Sequence, residues 1–147
     1  MKSIALSTFD TIKGPTMQFF VTDGFVSEDQ KEEISSMINV KVSNDYFFVR
    51  INTLTCYNFQ FNIRSGTARG KVEMLMLTFI NNKFPSRAVE KVFLKEAITF
   101  ITFLRGQPEA PLLFHLEKDY DQAEEEIIAQ LYEETLHRLK ELLERFA

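Results

Sequence analysis

The sequence predicts an α/β (α+β) layered sandwich. Its elements run in the order β-β-α-β-β-β-α-α, with a five-stranded antiparallel sheet, one helix on one face and two on the other. Three observations carry this. Two strand-like segments flank a short Gly14-Pro15 turn, and so short a connection joins antiparallel neighbours. Three further strand-like segments follow a single weak helix with only turns between them. Two strongly amphipathic helical stripes then fill the rest of the chain.

The chain has 147 residues, 45% hydrophobic and 26% charged, which suits a single domain over residues 1–147 with a core that needs no disulfide. Fifteen phenylalanines against four tyrosines and no tryptophan point to a core built from rings that need no polar partner.

Residues 3–9 alternate as a strand, residues 10–15 turn, and residues 16–21 form the second strand. Ser27 stands three residues before Gln30, a capping-box spacing, with Glu28 and Asp29 in the first turn where the helix dipole favours them. The helix is expected over 28–38, with a thin stripe of Ile34, Met37 and Ile38. Residues 46–52 read as a strand. In 56–64, Tyr57, Phe59, Phe61 and Ile63 alternate with Asn58, Gln60, Asn62 and Arg64, which predicts one apolar and one polar face. After a turn at 65–70, the nearly continuous apolar run 71–80 suits a central strand covered on both faces.

Pro85 is expected at the start of the next helix, where its missing N–H costs nothing, and Gly106 at its end. Between them Val89, Val92, Phe93, Ala97, Phe100, Ile101 and Leu104 recur at helical spacing. The stretch 107–111 is expected to be non-helical. Asp119 or Asp121 caps the last helix, whose stripe is Ile127, Ile128, Leu131, Leu139, Leu142, Leu143 and Phe146. From about 121 to 146 it would span roughly 39 Å, so its end is expected to project or to pair with another chain.

Several function classes find no support. A net charge of −4 gives no basic excess for a phosphate backbone, so nucleic acid is not an expected partner. The single cysteine, Cys56, allows no intrachain disulfide and suits a reducing compartment. No apolar run is long enough to span a bilayer, and the amino-terminal segment lacks the pattern of a secretory signal. There is no P-loop, GxSxG, HExxH or CxxC motif, and Cys56, His115 and His137 lack ligand spacing. The expectation is therefore no catalytic residue, no metal and no cofactor. Glu124, Glu125 and Glu126 read as a solvated helix start. Arg50, Arg64, Arg69 and Lys71 read first as charges that solubilise strand edges, and second as a site for an acidic partner.

The element order is that of the longin domain, and the chain resembles longin-like proteins over essentially its whole length. Phe9-Asp10 followed by Gly14-Pro15 and a strand is similar to the hairpin of longin domains of the folliculin and nitrogen-permease-regulator type. Ala68-Arg69-Gly70 before the apolar strand is longin-like as well. The resemblance implies a longin/profilin-like sandwich acting as a non-enzymatic, protein–protein interaction module. It would dimerise with itself or with a longin or roadblock protein, and serve as a scaffold in small Ras-like GTPase regulation or membrane trafficking and vesicle transport. The implied location is cytoplasmic, with membranes reached only through partners. The chain ends with its third helix, so a following SNARE motif is not expected. The alternative is a tethering or coat-type subunit that binds peptides or a larger complex without engaging a GTPase. Longin partners commonly use the first helix and the neighbouring edge of the meander. By position this designates Met37, Tyr46 and Phe48 as apolar contacts and Arg50 as a polar one.

Overall fold

A computed structural model of the chain describes residues 1–10, 12–39, 45–65 and 72–146. Its strands are β1 (Lys2–Asp10), β2 (Gly14–Thr22), β3 (Tyr46–Ile51), β4 (Leu54–Arg64) and β5 (Val72–Asn81). Its helices are α1 (Glu28–Ser36), α2 (Arg87–Arg105) and α3 (Gln122–Glu144), with short 3-10 turns at Met37–Asn39 and Ala110–Phe114. All strand pairings are antiparallel and the sheet order is β2-β1-β5-β4-β3, so the expected strand count and element order hold.

The apolar run predicted as a central strand is the central one. β5 lies between β1 and β4, and Leu75 through Ile80 are buried on both faces. Leu75, Leu77 and Phe79 join the core under α2 and α3, while Met76 and Ile80 join a second core under α1. The two cores on opposite faces follow from the two-residue period of a strand.

In the first hairpin, Asp10 Oδ1 accepts from the backbone N–H groups of Ile12 (2.7 Å) and Lys13 (2.9 Å), and Gly14 takes a positive φ of 78°. Those two donors stabilise the carboxylate and lower the Asp10 pKa. A bulge follows, because Leu6 pairs with Phe19 and Ser7 with Met17, leaving Gln18 as the extra residue. The bulge switches the side-chain alternation of β2. Met17 and Phe20 pack toward the α1 core, Phe19 packs toward α3 against Tyr132 with 4.8 Å between ring centroids, and Gln18 Nε2 donates to Leu113 O at 3.0 Å.

α1 begins with the predicted capping box. Gln30 N–H donates to Ser27 Oγ at 3.1 Å and Ser27 N–H to Gln30 Oε1 at 3.0 Å. The helix stops at Ser36, and Met37 and Ile38 continue in the tighter 3-10 turn, both buried. β4 starts two residues earlier than the alternation predicted. Asn52 and Thr53 form the whole β3–β4 connection, with Asn52 in the left-handed region at φ 55°, and this sets Ile51 opposite Leu54.

Four expectations need correction. Pro85 precedes the N-cap of α2: Ser86 is the cap, and its Oγ accepts from Val89 N–H at 3.4 Å. The stretch 107–111 is not wholly irregular, because Ala110 and Pro111 open the second 3-10 turn, where proline's missing N–H is not needed. Ile127 is exposed rather than part of the α3 stripe, and Thr135 takes a buried place between Leu131 and Leu139. The end of α3 does not project. Phe146 is buried and stacks on Phe79, and its carbonyl accepts from Lys2 Nζ at 2.7 Å. The turn residues Gly66 to Gly70, including Ala68-Arg69-Gly70, and Lys71 lie outside the described residues.

Candidate functional site

β3 is one border of the sheet and pairs with β4 alone among the described strands. It is short and amphipathic on both sides. Phe47, Val49 and Ile51 pack on the α1 core, so Tyr46, Phe48 and Arg50 point to the α2 face. The structure thus brings three of the four designated residues together on one strand.

Each has a different fate. Tyr46 is drawn inward: its ring lies 6.1 Å from that of Phe93 and its hydroxyl donates to Glu90 Oε2 at 2.9 Å. Burial, followed by the Glu90 carboxylate, pushes its phenol pKa well above the ordinary tyrosine value. Phe48, opposite Tyr57, is 49% exposed. Arg50 is held from two sides. Its Nη1 donates to Thr55 Oγ1 at 3.2 Å and to Lys83 O at 3.1 Å, and its guanidinium lies 4.8 Å from the Phe84 ring centroid. Thr55 Oγ1 also donates to Lys83 O, at 2.5 Å, so the β5–α2 loop is tied to the start of β4.

Met37 is elsewhere. It lies on the opposite face, 6% exposed, with Asn58 Nδ2 3.5 Å from its sulfur. It serves the core under α1 and does not line the β3 surface. That core explains another departure from the sequence reading. The polar row of β4 is only half solvent-facing: Asn62 and Arg64 are exposed, while Asn58 is fully buried and accepts from Thr78 Oγ1 at 2.7 Å. Gln60 Nε2 donates to the carbonyls of Met37 and Ile38, at 3.4 and 3.1 Å. Gln60 on β4 therefore satisfies carbonyls left at the end of a helix.

Phe84 was not singled out from the sequence, yet it is 82% exposed and completes the surface. The available signal was an aromatic inside an Asn-Asn-Lys-Phe-Pro loop, a segment type that rarely buries a ring. Phe48, Phe84 and the Arg50 cation between strand and loop form an apolar surface with one fixed charge. Such a surface can hold a protein partner through ring burial and a cation–π contact.

A second polar cluster lies in the interior. Glu73 on β5 bonds His115 Nε2 and also accepts from Ser65 Oγ at 3.0 Å. All three are buried. Serine and imidazole meet at the carboxylate, so this contact ties β4, β5 and the segment after Phe114 together without setting the imidazole on the hydroxyl. Among the described residues no group of three or more His, Cys, Asp or Glu side chains is placed to hold a metal ion, and no helix is long and apolar enough to cross a membrane. No protein-family model matches the chain, and neither does any curated protein.

Proposed function

We propose that this chain is a non-enzymatic interaction module of the longin type. It dimerises with itself, or with a longin or roadblock protein, and serves as a cytoplasmic scaffold for small Ras-like GTPase regulation or membrane trafficking. The observation that carries the reading is the β3 border, paired with β4 alone among the described residues, with Phe48 half exposed beside the Arg50–Phe84 contact. A strand border offers backbone donors and acceptors to a second strand, and the exposed rings add apolar burial. The sheet order and the one-against-two helix arrangement support the family resemblance drawn from the sequence.

The experiment has two arms. Sedimentation of the purified chain should show a dimer, and Phe48→Glu should shift it to monomer without changing its far-ultraviolet circular dichroism. Affinity capture from the source cell's lysate, run with a GTP analogue and with GDP, should enrich a small GTPase in one nucleotide state. A monomer that also retains neither a longin nor a roadblock partner would overturn the pairing. Equal recovery in both nucleotide states, or no GTPase at all, would overturn the GTPase role.

A further inference from the structure

The outward side of α2 carries a row of side chains that the described fold leaves unused. Phe93, Ala97, Phe100 and Leu104 form the buried side of this helix. Arg87, Lys91, Lys95 and Ile98 are all exposed. Their spacing of four, four and three residues stacks them in one row, opposite the buried side. The row is roughly 16 Å long at the helical rise of 1.5 Å per residue.

The three cations are unpaired. None makes an ion pair, a side-chain hydrogen bond or a ring contact among the described residues. Glu90, three residues after Arg87, accepts from Tyr46 instead. Glu96 lies off the row, in a groove against α3 with Arg138 and Arg145. The residues outside the described set carry no Asp or Glu, so no acidic side chain is left there to neutralise the row. The whole chain has a net charge of −4, yet the stretch from Tyr46 to Pro108 holds nine Lys and Arg against three Asp and Glu. The third of those acids, Glu73, is buried against His115.

Solubility alone does not account for this placement. Like charges four residues apart repel on a helix, and cations in its first turns oppose the positive end of its dipole. Alternating signs would solvate the same face without either cost. Ile98, in the same row, is 59% exposed. Its neighbours Thr99 and Thr102 donate their hydroxyls to the carbonyls of Lys95 and Ile98, at 3.2 and 2.8 Å. Covering this end of the row therefore strands no hydroxyl proton.

We propose that this face of α2 docks directly on an anionic phospholipid bilayer. The three cations meet the acidic headgroups, and Ile98 enters the boundary with the acyl chains. Lipids move laterally, so a headgroup can come to each separated cation. A protein hot spot centres on clustered apolar anchors in a pocket, whereas this row offers one isolated isoleucine. Duplex nucleic acid would leave Ile98 without a role. The acidic side chains of α3, Glu125, Glu126 and Glu133 among them, are repelled by the same surface, so the molecule meets it tilted onto α2. The contact is independent of the β3 surface and needs no protein partner.

The test uses the full chain and vesicles that hold no protein. Vesicles of phosphatidylcholine, with and without phosphatidylserine, are sedimented with the chain over a range of salt. Binding is expected only with phosphatidylserine, and it should fall as salt rises. Lys91→Ala/Lys95→Ala should weaken it about 25-fold, about fivefold for each charge near an anionic surface. The melting temperature of this variant should not fall, because the two lysines repel each other in the fold. Ile98→Ser should weaken binding and leave its salt dependence unchanged. Lys140→Ala removes the same charge from α3 and should leave binding within about twofold. A polyglutamate peptide is the second probe. Binding of the peptide without sedimentation on charged vesicles would assign an acidic protein and overturn the bilayer. Equal sedimentation with both vesicle types, none with either, or a loss on Lys140→Ala as large as on the double variant would overturn it as well.

Discussion

The ring of Phe146 lies on the ring of Phe79, with 3.7 Å between centroids and 10° between planes. One residue stands beyond the last helix and the other in the centre of the sheet, so this stack anchors the end of α3 on the floor of the core. Phe146→Ala is expected to destabilise the fold by about 3 kcal/mol, the low end for an aromatic truncation because a chain end can partly close the gap. Urea denaturation checks this, and a loss below about 1 kcal/mol would mean that the α3 end is not docked in solution.

The buried Glu73–His115 contact crosses from β5 to the segment leading into α3. Removing one partner leaves the other buried and incompletely satisfied. His115→Phe and Glu73→Leu should therefore each cost about 3 kcal/mol. The double variant Glu73→Leu/His115→Phe should recover much of that loss, because neither the imidazole nor the carboxylate is then buried without the other and only the Ser65 hydroxyl gives up its bond to Glu73. A double-mutant cycle in urea reads the difference, and strictly additive losses would refute the coupling.

Tyr46 and Glu90 predict a response to alkali. The Tyr46 phenol pKa is raised in the folded state, first by burial and then by the carboxylate. A group raised in this way adds stability that is complete below its unfolded value of about 10 and is lost as pH climbs through its folded value. Tyr46→Phe should cost about 1 kcal/mol at neutral pH, the net worth of one hydrogen bond, and should flatten the stability curve above pH about 10. Thermal melts across that pH range test it. An unchanged alkaline slope would count against the burial of Tyr46 beside Glu90.

Cys56 is fully buried, and burial, with a smaller contribution from Glu33, pushes its thiol up to about 12. At pH about 8 the folded protein should hold roughly a thousandfold less thiolate than a free cysteine. Aromatic disulfide reagents should therefore label it only as fast as the protein opens, and rapidly in urea. Fast labelling of the folded chain would contradict its place under α1. The sign for stability is the same as for Tyr46: the contribution is present below about 8.5 and lost as pH rises toward about 12.

The candidate surface was legible in part. Placing Tyr46, Phe48 and Arg50 on one strand followed from strand alternation. Grouping Met37 with them did not survive, because adjacency along an element order does not say which face of a sheet a helix covers. Met37 falls on the α1 side and the β3 trio on the α2 side. Phe84 went unmarked because it gains its role from Arg50, a residue distant in sequence.

By itself the sequence determined what is local. The capping box at Ser27–Gln30, the left-handed Gly14, the two-sided apolar run of β5 and the helical stripes all act within a few residues, so composition and spacing suffice for them. Tertiary structure alone decided what depends on two segments meeting. The bulge at Gln18 that reverses the alternation of β2, the burial of Asn58 against Thr78 and the docking of Phe146 on Phe79 are of this kind. A polar side chain reads as solvent-facing until a partner supplies its hydrogen bond, and a helix end reads as free until a core receives it. Both partners come from the assembled sheet, and no local pattern contains them.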